Sequence, residues 1–137
     1  MQKTTAATIS EYNKLQAKSA REVCDLLELQ IHQNLKKSES KIWHGSPVWF
    51  LDGNPVVSYS VRKSGMVALM FFSGQSFDEP DLQPEGKFKA AEILYAKVGE
   101  IQTAQVKKWL KKAQDIQWDY KNIVKRKGVL ERIDVTQ

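Results

Sequence analysis

Histidine and cysteine are nearly missing from this chain, and with them most metal and nucleophile chemistry. Two histidines, His32 and His44, and one cysteine, Cys24, offer neither a compelling Cys-His pair nor a histidine-rich zinc site. A single cysteine also excludes an intramolecular disulfide, which fits a reducing compartment. There is no Walker A loop and no dinucleotide-binding fingerprint. No window approaches the roughly 20 apolar residues of a membrane span. The opening MQKTTAATISEY lacks the apolar core of a signal peptide, so a cytoplasmic protein without membrane association is expected. Neither an internal repeat nor a low-complexity tract is present. No catalytic constellation, cofactor or metal site is expected, and the protein reads as a non-enzyme.

What is there is ordinary for a globular domain. The 137 residues are 42% hydrophobic and 27% charged, enough for one core. The net charge of +5 is uneven. From residue 101 onward nine Lys or Arg face four Asp or Glu, whereas residues 46–100 carry five against seven. The basic excess therefore belongs to the C-terminal region.

The stretch Ile42 to Phe72 alternates like strands and is punctuated like hairpins. Asp52-Gly53-Asn54 and Lys63-Ser64-Gly65 separate three runs, predicting strands over Ile42–Leu51, Val56–Arg62 and Met66–Phe72. In the second, Val57, Tyr59 and Val61 share one face. Gly45 and Pro47 weaken ladder pairing, so the first strand is expected to be an edge or to be bulged. If that strand is regular, Trp43, Pro47 and Trp49 share a face.

Capping boxes are expected at Thr8 with Glu11 and at Ser19 with Glu22. The second opens a helix to about Lys36, whose stripe of Ala20, Val23, Leu27, Ile31 and Leu35 packs on the sheet with Cys24 beside it. Ser73 to Lys87 reads as a connector pinned by Phe77 and Leu82. Residues 88–96 have both helix and strand character. Thr103 is a candidate cap for a helix with Val106, Trp109, Leu110 and Ala113 on its apolar face. The same spacing runs on through Ile116, Tyr120 and Ile123-Val124, after a break near Asp115, and Gly128 is a natural helix end.

Trp43-His44-Gly45-Ser46-Pro47-Val48-Trp49-Phe50 followed by Asp52-Gly53-Asn54-Pro55 resembles a segment of the YdhG-like domains, small bacterial proteins of largely unknown function. The likeness continues through Leu69-Met70-Phe71-Phe72-Ser73-Gly74, Gly86-Lys87 and Ile116-Gln117-Trp118-Asp119-Tyr120-Lys121, covering about Ile9 to Gly128. Trp43-His44 before the glycine and Ser46 in place of methionine depart from the commoner pattern. The resemblance implies a strand over 88–96 and a secretion-chaperone-like arrangement. With the patterns above it gives a single α+β domain spanning 1–137, a mostly antiparallel sheet of four or five strands with N- and C-terminal helices packed on it. One relative has been proposed as a frataxin-like iron chaperone. The helix here offers only Glu22, Asp25 and Glu28 for such a role, beside Arg21 and Lys36, and no tight iron site is expected.

The function expected from these residues is binding. Trp43, His44, Pro47 and Trp49 form a candidate surface for a small apolar ligand, a peptide, a protein partner or a second copy of the domain. The competing reading buries both indoles in the core. A second candidate is weak nucleic-acid binding through the basic region, with Lys107, Lys108, Lys111, Lys112, Lys121, Lys125, Arg126 and Lys127 on phosphates and Trp118 or Tyr120 stacking on a base.

Overall fold

In the computed structural model, which describes residues 6–134, three helices cover one face of a six-stranded sheet. The strands are β1 (Glu39–Trp43), β2 (Ser46–Leu51), β3 (Asn54–Val61), β4 (Val67–Phe71), β5 (Gln83–Pro84) and β6 (Ala91–Tyr95), in the order β1-β2-β3-β4-β6-β5. Every pairing is antiparallel. The helices are α1 (Ile9–Lys14), α2 (Lys18–Asn34) and α3 (Thr103–Asp115). After α3 a two-stranded ribbon forms from β7 (Ile116–Trp118) and β8 (Arg132–Asp134). The class is α+β, with six main-sheet strands where four or five were expected; the extra one, β5, is only two residues long. No described helix is long and apolar enough to cross a membrane.

The core follows from two periodicities. Trp49, Val57, Tyr59, Val67, Leu69, Phe71 and Tyr95 stand on one face of the sheet at period two, each at most 2% exposed. Against them pack Val23, Leu27 and Ile31 of α2 and Val106, Trp109 and Leu110 of α3, at helical spacing. Cys24 lies inside this cluster, and burial pushes its thiol up to about 12. Asn13 of α1 is buried as well. Its side-chain oxygen accepts from the Tyr59 hydroxyl at 2.7 Å, while its amide donates to Asp25 and Glu28 at 3.0 and 2.9 Å.

Three helix boundaries differ from the sequence reading. Thr8 does cap α1, accepting from the Glu11 amide at 3.1 Å. Ser19 is not a cap: the N-cap of α2 is Ala17, and the Ser19 hydroxyl reaches across to the Ala96 carbonyl. Thr103 is the first helical residue of α3, whose N-cap is Gln102. Beyond Asp115 the apolar spacing does not continue as helix. Ile116–Trp118 pairs with Arg132–Asp134, and turns fill 121–128. Ladder pairing to a distant strand overrides the local periodicity there.

Candidate functional site

The expected first strand, Ile42–Leu51, is a hairpin. His44 and Gly45 form a two-residue turn with φ of +52° and +82°, joining β1 to β2. Positive φ at both positions matches the twist of the flanking strands, and histidine is among the few non-glycine residues that adopt it. Asp52-Gly53 repeats the device between β2 and β3, with φ of +51° and +79°.

Pro47 fits because of where it falls in the ladder. Its partner on β1 is Ile42, one pair in from the turn, a position that exchanges no hydrogen bonds. The pyrrolidine nitrogen therefore faces β3, and that ladder begins only at Val48. The same alternation turns the backbone N–H and C=O of Ser40 and Ile42 outward. Among the described residues no strand pairs with that outer edge of β1.

Trp43 and Trp49 lie on opposite faces, correcting the shared face expected of a regular strand. Trp43 pairs with Ser46, and Trp49 with Ser40, so the turn places the indoles an odd number of steps apart. Trp49 is fully buried under α2, edge-on to His32 at 5.6 Å and beside Tyr59 at 5.5 Å. It cannot touch a ligand. Trp43 is 36% exposed on the face without helices. Its ring lies 4.3 Å from that of exposed His44 and 5.6 Å from Phe50. The structure thus brings Trp43 and His44 together, buries Pro47 on the other face and removes Trp49 from the surface.

Trp43 also comes within 6.5 Å of Phe72, at the end of β4. In a flat sheet β1 and β4 stand three strand spacings apart, roughly 14 Å. The register shift between Trp49 and Phe50 supplies a bulge, and the β1–β2 hairpin curls over the open face. Val48, Phe50 and Ala68 are buried on this face, outside the helix-covered core, and the Trp43 ring lies against Phe50. The row of rings continues from Phe72 to Tyr120 at 5.4 Å and on to Phe88 at 6.3 Å. Phe88 is 37% exposed, and Lys41 sits over the Phe50 ring at 5.1 Å.

Tyr120 is held at both ends of its hydroxyl, which donates to the Phe72 carbonyl at 2.6 Å and accepts from the Lys89 amide at 3.0 Å. The segment carrying it is clamped by Asn54, which is 3% exposed. Its amide donates to Gln117 and to the Trp118 carbonyl, both at 3.0 Å, and its oxygen accepts from the Lys121 amide. Sequence reasoning missed Tyr120 as part of this face because it read the segment as helix. Phe72 was within reach, since it follows core residue Phe71 and must point the other way.

The basic candidates do not gather into one patch. Lys112 binds Glu79 at 2.5 Å and the Phe77 carbonyl at 2.8 Å, and Lys108 lies 3.4 Å from the same carboxylate. The Lys112 contact holds the Glu79 carboxyl below its ordinary range. Arg126 binds Asp119 at 2.5 Å and Glu131 at 3.4 Å. The Asn122 hydrogen bonds, with Arg126, hold the buried Asp119 carboxyl low. The Trp118 indole donates to Ser76 and is covered by Lys89 at 4.6 Å, so it is not free to stack. Lys125 remains exposed in the turn. Two of the three carboxylates weighed for iron, Asp25 and Glu28, meet at the Asn13 amide; among the described residues no group of three His, Cys, Asp or Glu side chains could hold a metal.

The chain matches no protein-family model, no curated protein and no solved structure.

Proposed function

We propose that this protein is a non-enzymatic binding domain that adds an extended peptide segment to the edge of β1, with an apolar side chain of the peptide laid on Trp43. The observation that carries this reading is the conjunction at that edge. A large ring, 36% exposed and braced by His44 and Phe50, stands on a strand whose outer side pairs with no other strand among the described residues. Strand addition takes affinity from main-chain hydrogen bonds and specificity from alternate side chains. Ser40 and Ile42 offer the main-chain groups. On the helix side of the same edge a groove of about 350 Å³, bounded by Thr8, His32, Ser40 and Lys41, would receive the alternate side chains.

The test is selection of peptides from a displayed random library, followed by titration of the selected sequences. Trp43→Ala is expected to weaken binding by about 2 kcal/mol or more, as a central aromatic anchor does. Ile42→Pro removes an outward N–H without touching the β2 ladder, so it is expected to fold and not to bind. Peptides that bind both variants as well as the parent domain would sink the reading.

A further inference from the structure

On the helix side, two concavities of about 600 and 440 Å³ adjoin where the end of α2 meets α3, sharing Asn34 and Gln114 as common walls. The Gln114 amide donates to the Asn34 carbonyl at 2.7 Å and ties the two helices together there. Lys36 and Lys37 line the first concavity, and Lys107, Lys108 and Lys111 line the second. Among the described residues Asp52 is the only acidic one lining either. All five lysines are exposed, and among the described residues only Lys108 makes an ion pair. Lys36 and Lys37 follow the C-terminus of α2, whose partial negative charge attracts cations. The α3 dipole does not account for Lys107, Lys108 and Lys111, which precede the last turn of their own helix.

We infer that this groove binds the phosphate backbone of a nucleic acid. Lys107 and Lys111 are one helical turn apart, a rise of about 6 Å, so they present charge in series to a linear polyanion. The walls carry side-chain amides that can hydrogen-bond phosphate and sugar oxygens, and no aromatic ring on which a base could stack. Recognition is therefore electrostatic and independent of base sequence. The site differs from the basic patch expected from the sequence. It excludes Lys112 and Arg126, which are committed to carboxylates, and draws in Lys36 and Lys37 from a turn far away in the chain.

The experiment is a fluorescence-anisotropy titration with a labelled single-stranded oligonucleotide of mixed sequence, repeated across salt concentrations. Binding at low salt should fade with a log–log slope that reports the phosphates neutralised. Each lysine removed from the contact should flatten it by about 0.7. Lys107→Gln with Lys111→Gln, and separately Lys36→Gln with Lys37→Gln, should each lower the slope by about 1.4. Lys125→Gln, outside the groove, and Trp43→Ala, on the other face, should leave it unchanged. The inference is overturned if neither double variant alters the slope, or if the slope follows Lys125 or Trp43. It is likewise overturned if polyglutamate displaces the oligonucleotide as well as unlabelled oligonucleotide does at matched charge.

Discussion

The two faces of the sheet bury aromatic rings by different means. On the helix face Trp49, Tyr59 and Phe71 are sealed by α2 and α3, elements remote in sequence that close over them completely. On the open face Phe50 is buried with a ring of its own hairpin, Trp43, lying against it, and that ring stays partly in solvent. The first arrangement makes a side chain inaccessible and indispensable to stability. The second holds a ring in a fixed place while leaving it available. One short hairpin, β1–β2, contributes to both, because its strands alternate between the faces.

The largest expected effect separates the two tryptophans. Trp49→Ala should cost about 3–5 kcal/mol, as deletion of a buried aromatic does. Trp43→Ala should cost under about 1 kcal/mol, in the range of partly exposed sites. Chemical denaturation of both variants measures the contrast, and equal losses would erase the distinction between the faces. Next comes the clamp that brings Tyr120 onto the open face. Asn54→Ala leaves Gln117 and the Lys121 amide without their partner and should cost about 1–3 kcal/mol. Hydrogen exchange should then quicken at Lys121 while the amides of α2 keep their protection.

The third effect is a pH dependence. Glu79 and Asp119 have side chains 9% and 11% exposed and are held below their ordinary pKa in the folded state. Their contribution is complete above the unfolded carboxylate value, about 4, and is lost as pH falls through the folded one. Asp119→Asn should lower stability at neutral pH, by on the order of 1 kcal/mol, and flatten the acid limb of the stability curve. An acid limb identical to the parent's would show that the Asn122 and Arg126 contacts do not act on it. The smallest effect is chemical. The Cys24 thiol, buried and raised to about 12, should resist alkylation in the native protein and react only on unfolding.

Much of the helix face was legible in the sequence. The stripes of α2 and α3, the alternation of β3 and the strand at 91–95 all appear where period and resemblance place them. These elements are organised by burial, and burial is written in spacing. The open face was harder to read. His44-Gly45 is a turn only because a non-glycine residue accepts positive φ, and without that the segment reads as one strand. Helical spacing through Ile116 and Tyr120 is genuine but idle, since the backbone pairs with Arg132–Asp134 instead. Asn54 looked like a turn residue; that its side chain would hold a segment far along the chain depends on tertiary packing alone. Of the four candidate residues, Trp43 and His44 meet at the turn as the sequence suggested, whereas Trp49 and Pro47 lie on the other face, and Phe72 and Tyr120, which extend the row of rings from Trp43, were not read as part of that face from the sequence.

The Asn54 clamp also bears on the order in which the molecule assembles. The meander hairpins close over two to five residues and need little loop-closure entropy, so they are expected to form early. The hydrogen bonds of Asn54 join residues 63, 64 and 67 positions apart in the chain. Closing so long a loop costs more chain entropy than closing a hairpin, so these bonds are expected to form late. Contacts made after the rate-limiting barrier govern how fast a protein opens and leave its folding rate nearly untouched. A clamp formed that late is expected to act as a brake on unfolding: Asn54→Ala should raise the unfolding rate and leave the folding rate nearly unchanged in stopped-flow kinetics.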